Sequence, residues 1–307
     1  MTSYRVPVRV DFDANPAGIH WQPSDGAPFV EPFFDDTLRR LRATMGRDRM
    51  PVSPLDIWND APPAVTPDAV IFHISRCGST LVSRMLAALP STLAISEAPV
   101  FDDILRGSRR HTAFEPGMRE RWMRHALAAF RASQAAVPSR VVIKLDCWHL
   151  FEIDCVRRAF PGAPLLFVYR DPLEVLVSLV ERPSLTLVRD TVTPEEIGMG
   201  RDERDALPQT DLAAAILGAF FREATRQRAH LTPLPYRSLP DGALTALDRA
   251  QFTANEIDVM RRASAADAKA PHLPFVPDSA RKRAEAGRAI QDACARWTTP
   301  AFQAWCT

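Results

Sequence analysis

Residues 69 to 86 constrain this chain most: an apolar run ends in a short Ser/Gly/Thr turn and continues as a helical pattern. Such a strand–turn–helix aims several backbone N–H groups, and the positive end of a helix dipole, at one point in space. The turn residues that we expect to hold an anion there are Ser75, Arg76, Cys77, Gly78, Ser79, Thr80 and Leu81. Arg76 adds a planar, permanent charge that can grip a phosphate-like group through two hydrogen bonds. The alternative is an ordinary turn in which Gly78 supplies only backbone freedom.

The turn lacks the glycine spacing and the lysine of the triphosphate-binding loop G-x-x-x-x-G-K-[ST]. A short anion loop without that lysine points away from ATP and towards another activated phosphate compound. A small-molecule kinase needs both the lysine and a magnesium-binding carboxylate, so it is the less favoured hypothesis.

A second segment, residues 164 to 180, repeats the arrangement of a buried strand that ends at a basic residue. Arg170 ends the strand, and Asp171 followed by Pro172 is a favourable start for a helix. Ser178 lies eight residues after Arg170, which is about two helical turns, so it can share a face with the helix start. Arg170 and Ser178 therefore predict a second anion site at the same edge of the sheet.

The two segments together resemble the sulfotransferase superfamily. The turn from Ser75 to Leu81 is similar to its 5′-phosphosulfate loop, P-[KR]-[ST]-G-[ST]-[ST], and Arg170 to Ser178 is similar to its 3′-phosphate motif, R-[DN]-P-x-x-x-x-x-S. The resemblance covers roughly residues 68 to 275 and is closest to the tyrosylprotein sulfotransferase-like bacterial branch. Ser75 stands where proline is common and Cys77 where serine or threonine is usual. The resemblance implies the donor 3′-phosphoadenosine 5′-phosphosulfate (PAPS) and a P-loop-like fold.

Catalytic roles follow from the resemblance. It implies that Arg76 grips the 5′-phosphosulfate, that Lys144 neutralises the transferring group, and that Glu97 is the base that takes the acceptor proton. Asp146 and His149 are rival bases, because the cytosolic branch places its base histidine just after the matching lysine. A helix-capping or ion-pairing role for Glu97, and a solvent-directed Lys144, are the alternatives without catalysis.

Two further residues are carried over for nucleotide binding. Tyr236 lies in a segment similar to the family's V-x-Y-E-x-L strand, and Lys269 lies in a late lysine-proline element. Core packing is an equal alternative for Tyr236.

Alternation of apolar strands with helical stretches predicts an α/β fold, a P-loop-like three-layer α/β/α with a central parallel sheet. The predicted strands are 69–74, 92–96, 140–145, 164–169 and 232–237. The predicted helices are 79–89, 117–135, 148–159, 172–181, 210–229, 242–251, 255–263 and 278–296. Ligands then bind beyond the carboxyl ends of the strands.

Two domains are predicted, an aromatic and proline-rich cover segment at 1–68 and a sulfotransferase domain at 69–307. A strand at 6–12 and a helix at 36–45 are expected in the first. We expect the cover segment to pack on the core, with lining of an acceptor pocket as the alternative. Residues 182–209 form a long polar connection that is either a lid or disordered.

Composition excludes several classes of partner and cofactor. With 38 basic and 37 acidic side chains the formal net charge is +1, which favours neither nucleic acid nor a membrane surface. Five cysteines without a C-x-x-C pair predict no metal site and a reducing compartment. With no apolar leader at the N-terminus, we expect a cytoplasmic bacterial protein. The expected partner is a small-molecule or peptide acceptor with a hydroxyl, and a homodimer is possible. The alternative function, a nucleotide-binding protein without turnover, also stays open.

Overall fold

The computed structural model describes residues 4–45, 51–62, 64–107, 114–247, 252–266 and 278–307. An antiparallel sheet near the N-terminus has the order β1-β2-β3, with β1 at Tyr4–Asp11, β2 at Gly18–Ser24 and β3 at Val52–Pro54. The strands of the central sheet are β4 (Ala69–His73), β5 (Thr92–Ser96), β6 (Arg140–Lys144), β7 (Leu165–Tyr169) and β8 (Leu231–Pro235). They are all parallel, in the order β5-β6-β4-β7-β8.

Helices connect and surround the strands. The helices are α1 (Phe34–Met45), α2 (Ser79–Ala87), α3 (Pro99–Arg106), α4 (Met118–Ala132), α5 (Ile153–Ala159), α6 (Pro172–Glu181), α7 (Pro194–Ile197), α8 (Arg201–Asp205), α9 (Gln209–Arg226), α10 (Asp241–Ala246), α11 (Ala254–Ser264), α12 (Ser279–Glu285), α13 (Arg288–Ala293) and α14 (Thr299–Cys306).

The strand order explains why helices cover both faces of the sheet. The chain moves from β4 outward to β5, and every later crossover moves in the opposite direction. Since parallel crossovers are right-handed, α2 lies on one face, and the helices of the later crossovers lie on the other. Every residue of β4 and β5 is buried, as strands covered on both faces require. The predicted three-layer α/β/α fold is confirmed.

Strand register brings the predicted site residues to one edge. Ser96 pairs with Lys144, His73 with Val168, and Tyr169 with Pro235. The residues that follow these strands therefore lie along the same carboxyl edge, although they are far apart in sequence.

The N-terminal segment packs on this core as a cover. Strand β1 contacts α3 and α4, and α1 packs on β2. The rings of Phe34 and Phe130 are 5.2 Å apart, edge to face, and Trp21 meets Trp58 in the same way at 6.0 Å. Its buried side chains join the core of the α/β domain in one hydrophobic cluster. The boundary at residue 68 stays a prediction.

Several local predictions differ from the structure. The helix expected at 148–159 is an α-helix only over Ile153–Ala159, since Cys147–Glu152 form a 3-10 helix. The single helix expected at 278–296 is wrong: α12 ends at Glu285 and α13 begins at Arg288, because Ala286 and Gly287 adopt extended backbone angles. Glycine is a poor helix former, so the break has a visible cause in the sequence. The connection 182–209 contains the short helices α7 and α8, and α7 begins with a capping box between Thr193 and Glu196.

Candidate active site

The turn between β4 and α2 is held in a conformation that few residues adopt. Gly78 caps α2 with φ of 90°, and Arg76 has φ of 60°. A Cβ built on Gly78 would lie 2.8 Å from Cδ2 of Tyr236, so the turn and this ring are in close contact. Glycine is therefore required at position 78 both for its backbone angle and for space.

Arg76 carries a buried donor that points to a ligand. Its terminal NH2 group donates to the carbonyl oxygen of Arg182 at 2.8 Å. Its Nε is buried and has no hydrogen-bond partner within the described residues. Burial, together with the nearby charge of Arg182, lowers the pKa of Arg76. An anion that accepts a hydrogen bond from this Nε–H would stabilise the buried positive charge of Arg76.

Arg170 is buried and is already paired with carboxylates. Its Nε donates to Glu174 at 2.7 Å and its NH2 to Asp278 at 2.6 Å. The guanidinium also lies 4.1 Å from the centre of the Tyr236 ring. Ser178 is buried and lines the same cavity. Asp278 was not predicted from the sequence, because its contact with Arg170 spans 108 residues.

Lys144 and Glu97 form an ion pair below the turn. Nζ of Lys144 lies 2.8 Å from Oε1 of Glu97 and 3.5 Å from Oγ1 of Thr80. Only 1% of the Lys144 side chain is exposed, and its Nζ lies 4.7 Å from the centre of the Phe33 ring. A buried lysine that directs its charge at the turn can stabilise negative charge there.

Glu97 is itself held in a strained conformation. Its φ is 56°, and its backbone N–H donates to the carbonyl oxygen of Lys144 at 2.8 Å. Burial alone would raise its pKa, but the charge of Lys144 and the proximity of His73 lower it to about 2. The carboxylate is thus ionised and faces the cavity that contains the turn.

The two rival bases, His149 and Asp146, differ in their hydrogen bonding and in their access to the cavity. His149 is 0% exposed: its Nδ1 accepts from the backbone N–H of Asp146 at 3.2 Å, and its Nε2 contacts Asp102 at 2.8 Å. Both ring nitrogens of His149 are thereby occupied. Burial raises the pKa of Asp146 to about 7, with Glu97 acting in the same direction, and Asp146 lines the cavity.

The predicted residues converge on one cavity of about 780 Å³. Its walls include, of the residues predicted from the sequence, Ser75, Arg76, Cys77, Gly78, Ser79, Thr80, Leu81, Glu97, Arg170, Ser178 and Tyr236. Lys144 is not part of the cavity wall, but its Nζ contacts Glu97, which is. Lys269 lies outside the described residues.

Several residues that line this cavity were not predicted from the sequence. His73, Phe33, Arg182, Asp278 and Lys282 also contribute to its walls. A signal for His73 was present, since it is a polar residue at the end of an otherwise apolar strand. Phe33 and Asp278 reach the cavity through tertiary packing that sequence patterns do not reveal.

A second cavity of about 860 Å³ adjoins the first and shares Trp148, Leu185 and Val188 with it. Side chains of the N-terminal segment line it, among them Arg9, Asp11, Phe12 and His20. This segment therefore does more than cover the core: it also forms the wall of a cavity.

No helix among the described residues has the length and apolar character needed to cross a membrane. Within the same ranges, no three His, Cys, Asp or Glu side chains converge as metal ligands do.

Comparison with known proteins finds similar solved structures and one matching family. The structures with similar folds include the sulfotransferase STF9 from Mycobacterium avium, at 15% identity over 74% of each chain with a TM-score of 0.43. They also include the sulfotransferase domain of the Synechococcus PCC 7002 olefin synthase, at 14% identity over 80% of this chain and 96% of that one, with a TM-score of 0.42. No curated protein sequence is significantly similar. A family model described as "Sulfotransferase family" matches residues 67–262, and the chain belongs to that family.

Proposed function

We propose that the protein transfers a sulfuryl group from PAPS to an acceptor hydroxyl. The observation that carries this proposal is the convergence of two basic anion sites, at Arg76 and at Arg170, on one cavity whose wall also includes Glu97, the ion-pair partner of Lys144. A donor with phosphate at both the 3′ and the 5′ positions needs two such sites. A nucleoside triphosphate needs only one cluster and the lysine that this turn lacks.

The residues present fit the donor. The buried, unsatisfied Nε of Arg76 and the backbone N–H groups at the start of α2 suit the 5′-phosphosulfate. Arg170 and Ser178 suit the 3′-phosphate, and Tyr236 lies between the two sites, against both Gly78 and Arg170. The flat ring there offers a surface for the nucleotide.

Charge stabilisation by fixed groups accounts for the chemistry. Sulfuryl transfer breaks the bond between sulfur and the 5′-phosphate oxygen and forms one between sulfur and the acceptor oxygen. Negative charge gathers on the departing phosphate and the sulfuryl oxygens, where Arg76 and Lys144 stabilise it. The acceptor O–H gives its proton to Glu97, whose carboxylate is ionised and lies beside Lys144. We favour Glu97 over His149, because both nitrogens of His149 are engaged and its side chain is buried.

The second cavity is our candidate for the acceptor. It adjoins the donor cavity through Trp148, Leu185 and Val188, and the last two side chains are exposed apolar groups at the junction. An acceptor that lies there would reach the donor cavity, whose wall includes Glu97, past these shared residues.

The proposal is tested by measuring the transfer of labelled sulfate from PAPS to four classes of acceptor: phenols, carbohydrates, lipids and hydroxylated peptides. We expect label on at least one class, and loss of that label in Lys144→Met. Tight binding of adenosine 3′,5′-bisphosphate (PAP) without transfer to any class would instead favour the nucleotide-binding alternative.

A further inference from the structure

His73 is a buried histidine beside the proposed base. It is the last residue of β4, and 7% of its side chain is exposed. Its Nδ1 lies 2.9 Å from the backbone carbonyl oxygen of Ile74. Because a carbonyl oxygen only accepts, Nδ1 carries a hydrogen, and Nε2 is the nitrogen that varies between its protonated and unprotonated forms.

Nε2 of His73 faces the carboxylate of Glu97. The distance from Nε2 to Oε1 is 3.4 Å, and Nε2 has no hydrogen-bond partner within the described ranges. A neutral ring would direct a lone pair at a negatively charged oxygen, which is repulsive. A protonated ring directs an N–H at the same oxygen, and a small rotation completes a charged hydrogen bond. The geometry therefore fits an imidazolium.

Two cations thus meet one oxygen of Glu97. Lys144 lies at 2.8 Å and His73 at 3.4 Å from Oε1, and both are buried. During sulfuryl transfer, Lys144 is needed at the transferring group. A buried carboxylate that loses its cation is strongly destabilised and tends to take a proton, which would abolish its use as a base. The second cation solves this problem.

We propose that His73 is a positioning residue that keeps Glu97 ionised and aimed at the acceptor hydroxyl while Lys144 pairs with the transferring sulfuryl group. This proposal rests on the proposed function. The acceptor proton goes to Glu97 and from there to solvent, and His73 keeps its own two ring protons throughout. Lys144 and His73 divide two tasks that a single cation cannot perform at once.

Several titratable groups surround His73. The groups that face it are Cys77, Glu97 and Asp146, with Lys144 behind Glu97. Burial lowers the pKa of His73, but its contacts with Cys77 and Glu97 raise it, and the net direction is upward. The His73 cation is therefore present at neutral pH and is lost only as the pH rises well above the ordinary histidine range.

Two measurements test the proposal, one of which needs no turnover. In the PAP complex, we expect the His73 ring to remain an imidazolium at pH 8 by NMR, and to titrate at lower pH in Glu97→Gln. A neutral ring at pH 7, or the same titration in both proteins, overturns the ion pair.

The second measurement is the pH profile of sulfate transfer. His73→Gln keeps an N–H donor but loses the positive charge, so the pKa of Glu97 should rise. The acid limb of the profile, where activity falls as Glu97 takes a proton, should move to higher pH by about one unit, the size expected from one opposite charge within 4–6 Å. His125→Gln is the matched control and should leave the acid limb unchanged, because the half-buried His125 ring contacts the backbone carbonyl of Asp60 and lines neither cavity named above.

An unmoved acid limb in His73→Gln with normal PAP binding overturns the positioning role. Absence of transfer by the wild-type protein refutes the proposed function, and with it the catalytic use of His73, while the ring titration still decides the ion pair.

Discussion

Asp278 forms an ion pair with Arg170, whose guanidinium we assign to the 3′-phosphate of the donor. Replacing Asp278 should therefore tighten donor binding. One of its oxygens lies 2.6 Å from NH2 of Arg170 and the other lies 2.6 Å from Nζ of Lys282. Both cations line the donor cavity. An incoming 3′-phosphate must displace this carboxylate or share the guanidinium with it, and either event opposes binding.

The size of the effect follows from the contact. A hydrogen bond to a charged group contributes roughly 1.5–3 kcal/mol. The Asp278 side chain is 30% exposed, so solvent screening reduces the competition to about 1 kcal/mol. Since 1.4 kcal/mol is about ten-fold in affinity, Asp278→Asn should bind PAP about five-fold more tightly. The unliganded variant should melt at a lower temperature, because it leaves the buried Lys282 without this carboxylate.

Calorimetric titration of PAP into Asp278→Asn checks this value. Asp292→Asn is the matched control: it makes the same change at an exposed pair with Arg288 and should leave the affinity unchanged. Equal or weaker binding by a folded Asp278→Asn would refute the argument, since it would show that Arg170 does not receive a phosphate.

Three further predictions concern the same cavity. Arg170→Ala should weaken PAP binding by roughly 1.5–3 kcal/mol in calorimetry, and a folded variant with normal affinity would show that the motif match is accidental. Glu97→Gln should keep PAP affinity but lose about two to four orders of magnitude in sulfate transfer; full activity in Glu97→Gln with none in Asp146→Asn would move the base to Asp146. Gly78→Ala should lower the free energy of unfolding by about 1–3 kcal/mol in a denaturant titration, because its φ is 90° and a Cβ would lie 2.8 Å from Tyr236; unchanged stability would contradict the tight turn.

Those elements of the fold and the site whose determinants lie within a few neighbouring residues could be predicted from the sequence. Hydrophobic runs, a capping pattern and a glycine in a tight turn predicted β4, α2, β7 and α6, and the edge on which their termini meet. Parallel strands place their carboxyl ends together, so segments as distant as Glu97 and Arg170 were assigned to one cavity without knowledge of their contact.

What the sequence did not predict depends on long-range packing. Nothing in the local pattern at Phe33 indicates that its ring lies over Lys144, since those residues come from separate segments of the chain. The pairing of Asp278 with Arg170 is of the same kind. Likewise, the antiparallel partners of β2 and β3 are set by tertiary contacts, so the N-terminal sheet was predicted only at β1.

Direct comparison of two nucleotides tests the central claim that this edge holds a donor phosphorylated at both the 3′ and 5′ positions. Titrating the wild-type protein with PAP and with ATP in the same buffer measures both affinities. We predict that PAP binds more tightly than ATP and that Arg76→Ala and Arg170→Ala each weaken the binding of PAP. Tighter binding of ATP, with no heat from PAP, would contradict the assignment of the cavity.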